Sequence, residues 1–236
     1  FSHPLMSDLH GISVEDRAIW VTSSLIDSLL EFDHDHELRS VLTFTDTKLY
    51  PRSLREQIDL SADYRLRGKI KDGFSSFHTN NVTVYGEDTL LVTGRGEGHA
   101  AGKVLWVDRN TLDFKICIKK LLGPHDGLLL DDEHFAVTET NNASVAIFKI
   151  RRWGRPRLLK RFELPKDDGK YWTRGAAQDE AGHLLVGRSV WKGDKRRASV
   201  LHVSREGEVL GKHGLDLPDY PECRIFQITP LTAFGG

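Results

Sequence analysis

The chain has 236 residues, 39% of them hydrophobic and 28% charged, which excludes a disordered chain and leaves room for one large β domain or two ordinary ones. Lys and Arg number 33 against 34 Asp and Glu, a net charge of −1, which excludes a global electrostatic pull toward nucleic acid or an anionic membrane. No apolar run reaches the roughly 18 residues that a membrane-spanning helix needs.

In chain order, the strand signals come in fours. The first group opens at His10 with "HGISV", turns at "EDR", and continues with "AIWVTS", "SLLEFD" and "LRSVLTF". An insertion follows over about residues 48–76, where "SLREQIDL" reads as one or two helical turns beside a proline. The second group opens at His78 with "HTNNVTVY", then "LLVTG", "KVLWVD" and "FKICIKKL". The third opens at His125 with "HDGLLL", then "FAVTE", "VAIFKI" and "RLLKRFEL". The fourth opens at Arg174 with "RGAAQ", then "LLVGRS", "VLHVS" and "VLGKHGLDL", and a fifth begins with "RIFQITPL" at Arg224. Acidic or Gly turns and β-branched or aromatic enrichment mark these runs as strands.

Four antiparallel strands in each repeat of about 50 residues are the signature of a β-propeller blade. A lone four-stranded sheet exposes two apolar faces, so blades must stack, and the strands buried on both faces read as near-continuous apolar runs. The expected fold is therefore all-β: a β-propeller with four recognisable blades and the first strand of a fifth, five- or six-bladed when intact. It is read as a single domain over 1–236, interrupted by the insertion at 48–76.

The recurring pattern of "HGISVEDRAIWVTSS" and "HDGLLLDDEHFAVTET" resembles blades of the gluconolactonase/regucalcin, strictosidine-synthase, NHL and virginiamycin B lyase-like propellers, over about residues 10–228. In the gluconolactonase relatives, the resemblance implies carboxylates and asparagines that hold a divalent cation around a central channel. The matching blade starts here are His and Arg instead. "HTNN" supplies an Asn, and Glu139 ends a second strand. That departure weighs against lactonase activity.

In an up-and-down blade, the start of strand one and the end of strand two share one end of the sheet. His10, His78, His125, Arg174 and Arg224 are therefore expected at one channel mouth. Asn80 and Asn81 stand at the same start of the second group, and the loops after the second strands bring Arg95, Glu139 and Trp191 to that face. Three readings stand open. His10, His78 and His125 can ligate one divalent metal, leaving a position for water or substrate. Alternatively, Arg174, Arg224, Asn80, Asn81, Glu139 and Arg95 bind an anionic or sugar-like ligand, with His78 and His125 as general acid and base and Trp191 stacking on a sugar ring. Or each His hydrogen-bonds the backbone of a neighbouring blade and serves the scaffold.

The function expected is binding of a small polar or anionic ligand, by an enzyme of lyase or hydrolase type. The alternative is a non-catalytic propeller that binds a glycan or protein partner through the same face. No nucleotide cofactor is expected: "GRGEG" (94–98) joins two antiparallel strands and opens no helix. "DHDHELR" (33–39) reads as a solvated loop, and the basic run 149–161 as an exposed outer strand. Cys117 and Cys223 share no metal or redox spacing and read as buried free thiols, which points to the cytoplasm. The start at Phe1 leaves a removed signal peptide, and so a periplasmic or secreted location, open.

Overall fold

Alternation along the second strand of each repeat decides how the sheets pack. In "IWVTS", Trp20 turns to one face while Ile19 and Val21 turn to the other, and all five residues are buried. A strand covered on both sides has no polar face to show. The computed structural model describes residues 1–50, 52, 55, 57–65, 77–166, 171–190, 198–215, 225 and 227–229. It is all-β, with four antiparallel four-stranded blades in a propeller arrangement.

Blade 1 contains β1 (Leu9–Val14), β2 (Ile19–Ser23), β3 (Ser28–Phe32) and β4 (Leu38–Thr43). Blade 2 contains β5 (Thr79–Tyr85), β6 (Thr89–Gly94), β7 (Gly102–Asp108) and β8 (Phe114–Leu121). Blade 3 contains β9 (Pro124–Asp131), β10 (His134–Glu139), β11 (Ser144–Lys149) and β12 (Arg157–Glu163). Blade 4 contains β13 (Tyr171–Gln178), β14 (Leu184–Val190), β15 (Ser199–Val203) and β16 (Val209–Gly214). Each is a meander in which every strand pairs with the next. The blades fall into two compact units, Phe1–Gly123 and Pro124–Gly236.

In the first unit, blades 1 and 2 close on Trp20, Leu29, Phe44, Phe77, Leu90, Val92, Leu105 and Val107. Burying a side chain of this size stabilises by roughly 1.5–3 kcal/mol. The other face of blade 1 packs against Leu5 and Ile58, with Met6 and Tyr64 beside them. The leading segment and part of the insertion therefore cover that face, tied together by the Tyr64 N–H donating to the Pro4 carbonyl at 2.7 Å. In the second unit, blades 3 and 4 close on Leu130, Val145, Ile147, Leu184, Val186, Leu201 and Val203.

The outer strand β12, "RLLKRFE", is exposed along almost its whole length, as its basic composition anticipates. Cys117 lies on outer strand β8 and is half-buried rather than a core residue. Burial still pushes its thiol up to about 12, so it is not a reactive thiolate. Cys223 lies outside the described residues.

Candidate functional site

Register at the start of each blade defines the site. Leu9 faces Ser23 and then Ile12 faces Val21; Thr79 faces Gly94 and then Val82 faces Val92. Pro124 faces Glu139 and then Gly127 faces Val137; Thr173 faces Arg188 and then Ala176 faces Val186. Each first strand thus carries one residue more than its partner, a β-bulge at the same place in all four blades. Bulges bend a strand and re-aim a side chain. The residue just inside the bulge is His10, Asn80, His125 or Arg174. His78 is not level with His10. It stands two positions earlier, level with Asp8, and both have left-handed backbone, at φ 51° and 50°.

The same bonds hold these starts from blade to blade. Thr22 Oγ1 accepts the Gly11 N–H at 2.8 Å, and Thr138 Oγ1 accepts the Asp126 N–H at 3.2 Å. In blades 1 and 3, the threonine near the end of the second strand therefore locks the bulge. Between blades, the Ser24 hydroxyl donates to the Thr79 carbonyl, Thr140 to Thr173 at 2.9 Å, and Ser189 to Ile225 at 3.2 Å. Ile225 thus takes the bond that a following blade's first strand takes elsewhere.

In the first unit, Asp8, His10 and His78 converge. The imidazoles of His10 and His78 meet edge to face at 5.1 Å between centroids. His10 Nε2 lies 3.5 Å from the Asp8 carboxylate, with the His10 side chain 8% exposed. One ligating atom from each of the three lies within 4.8 Å of the others. Both strained residues are pinned by backbone: Ser24 N–H donates to the Asp8 carbonyl at 3.2 Å, and Arg95 N–H to the His78 carbonyl at 3.1 Å. Left-handed backbone at non-glycine residues persists only where the surroundings enforce it, and it clusters at functional sites.

Asp27 enforces it here. Its buried carboxylate accepts the backbone N–H of Phe77 at 2.9 Å and of Thr79 at 2.8 Å, and the Tyr50 hydroxyl. Burial pushes this carboxyl above its ordinary value, and the Tyr50 and backbone bonds pull the other way.

Asn80 is buried at its bulge, Asn81 is half-buried and accepts the Thr83 hydroxyl at 3.1 Å, and Arg95 is half-buried. The far end of this unit holds a separate concavity of about 290 Å³, lined by Glu15, Asp16, Arg17, Gly86, Glu87 and Arg109.

In the second unit, His125, Asp126 and Arg174 are buried at the blade starts. Asp126 accepts the Thr138 hydroxyl at 2.7 Å and the Gly175 N–H at 2.8 Å. Burial pushes its carboxyl up to about 6, opposed by Thr138, Gly175 and the Arg174 charge. The Arg174 guanidinium lies over the Trp172 ring at 4.2 Å, a cation–π contact. Glu139 is fully buried and is paired with Arg161 at 2.7 and 3.2 Å, with Ser144 at 3.0 Å. Its carboxylate is thus committed to its own blade. Arg224 and Trp191 lie outside the described residues.

Sequence reasoning did not single out Asp8, Asp27 or Asp126. The signals were present: Asp8 is spaced by one residue from His10 in "SDLH", Asp126 adjoins His125, and Asp27 is a lone charge in the apolar run "SLIDSLL".

No family model and no curated protein matches the chain. Solved structures do. Virginiamycin B lyase from Staphylococcus aureus matches with a TM-score of 0.51 at 13% identity, over 93% of this chain and 73% of that one. The periplasmic gluconolactonase of Pseudomonas aeruginosa matches at 0.56 and 16% identity, over 90% of this chain and 59% of that one. Regucalcin from Agrobacterium tumefaciens, a calcium-binding protein, matches at 0.50 and 11% identity, over 89% and 75%. All three are β-propellers, and at such identities the likeness shows the shared fold alone. The chain spans about three fifths of the gluconolactonase, 59% of its length.

Proposed function

We propose that this chain belongs to a propeller that binds a small polar or anionic molecule at the blade-start end, with Asp8, His10 and His78 as ligands of a divalent metal and chemistry of lyase or hydrolase type. The observation that carries the reading is the convergence of two imidazoles and a carboxylate on held, strained backbone. Two nitrogen donors and one oxygen suit zinc and its neighbours, and three protein ligands leave a position open. They do not suit calcium, which takes six to eight oxygens. The bulge positions, with His10, Asn80, His125 and Arg174, are likewise not an oxygen cage.

A metal held there would polarise a substrate oxygen or acidify a bound water. The chain's own groups do the rest. Asp8, His10 and His78 each offer one ligating atom, and the held backbone of Asp8 and His78 keeps those atoms together.

The test is a thermal-shift screen of small carboxylates, phosphates and sugar acids, run with and without zinc. The reading expects a zinc-dependent stabilisation by an anionic compound, lost in the variant carrying His10→Ala and His78→Ala. Stabilisation that is the same in the variant, or none in the parent, would overturn it.

A further inference from the structure

Blade 4 carries a second imidazole–carboxylate cluster, at the end opposite its bulge. Asp179 follows β13, His183 precedes β14, and His202 is the fourth residue of β15. Five residues of extended chain, about 16 Å, separate Asp179 from Arg174 at the bulge. Both imidazoles aim at one oxygen: Asp179 Oδ2 lies 2.7 Å from His202 Nε2 and 3.4 Å from His183 Nδ1. The rings meet at 5.1 Å between centroids, and one ligating atom of each residue lies within 4.8 Å of the others.

The surroundings hold the donors without consuming them. The other carboxylate oxygen of Asp179 accepts the His183 N–H at 2.8 Å. The turn is braced by Gln178 and Arg205, both donating to the Gly182 carbonyl, at 3.1 and 3.2 Å. Arg205 also pairs with Asp131 at 3.2 Å, so its charge is balanced away from the imidazoles. Opposite His202 on β16 stands Gly211, where an added Cβ would lie 3.9 Å from the His202 Cβ and 3.8 Å from His213 Nε2. The three side chains are 27–36% exposed, so an ion has a path in and water can complete its shell.

We propose that Asp179, His183 and His202 form a divalent-metal site of the zinc type, separate from the blade-start cluster, that clips the β13–β14 turn to β15. Ligands held about 2.0 Å from a tetrahedral ion stand about 3.3 Å apart. The 3.4 Å pair already fits, and the 2.7 Å pair must open by about half an ångström as the ion replaces the proton between the groups. No residue is shared with Asp8, His10 or His78, so this site stands or falls independently.

The experiment is zinc titration of the chelator-treated full chain by competition with a chromophoric chelator, in a background of His10→Ala and His78→Ala. About one equivalent of zinc should still bind, and adding His202→Ala should weaken it at least tenfold. His183→Gln, at the most exposed of the three side chains, serves if the first variant does not fold. With cobalt in place of zinc, the background protein should show visible absorption that the added substitution removes. No saturable binding in the background, or binding unchanged by both substitutions, would overturn the proposal.

Discussion

Asp27 shows how one side chain holds a blade interface. It sits in left-handed backbone at the end of the short 3-10 turn Ser24–Ile26 and gathers the Phe77 and Thr79 N–H groups and the Tyr50 hydroxyl. Removing it takes the acceptor from the two buried N–H groups and from the Tyr50 and Thr79 hydroxyls, and each buried donor left unsatisfied costs about 1–3 kcal/mol. Asp27→Ala should therefore lower stability by about 3–5 kcal/mol in urea unfolding, and should loosen His78 with it. Asp126 sets a pH dependence instead. Its carboxyl is raised from 3.8 to about 6 by burial, so the folded state holds the proton more tightly than the unfolded state. The resulting stabilisation is fully present below about pH 4 and is lost as pH rises through about 6. It amounts to at most about 3 kcal/mol. Asp126→Asn should flatten that part of the profile, so unfolding midpoints of parent and variant at pH 4, 5, 6 and 7 should diverge in the variant's favour as pH rises.

At the scale of elements, the strands were legible and their registers were not. Runs such as "LLV" in β6 and "VAIF" in β11 are apolar throughout because both faces are covered, and the exposed "RLLKRFE" announces an outer strand. A bulge leaves no such trace, since it is one extra residue in a backbone ladder. Matching His78 to His10 by residue type therefore missed the two-position offset, and with it Asp8 as the true counterpart of His78. Glu139 was legible as an acid at a strand end, but its pairing with Arg161 follows from a register across two strands that no local pattern encodes. Gly11 tests the bulge. A Cβ there would meet Asn80 O at 2.8 Å and Asn81 Cα at 2.9 Å, both backbone. Gly11→Ala should cost about 1–3 kcal/mol by overpacking, whereas Leu158→Thr on exposed β12 should stay within about 0.5 kcal/mol. Chemical denaturation of the two variants checks both.

For the whole molecule, the repeat carried most of the fold, because one blade cannot bury its two faces alone and every unit repeats the same solution. The repeat also directed attention to the blade-start end, where Asp8, His10 and His78 converge. It did not reveal which donors meet there, because that depends on two strained residues, Asp8 and His78, whose backbone is fixed by the turn after β2 and by Arg95. The central claim is that these donors hold a metal. Elemental mass spectrometry of the full chain, stripped with chelator, reloaded with zinc and desalted, tests it most directly. The account predicts that the His10→Ala, His78→Ala variant loses about one metal per chain relative to the parent, with an unchanged far-ultraviolet circular dichroism spectrum. Equal metal content in parent and folded variant would contradict it.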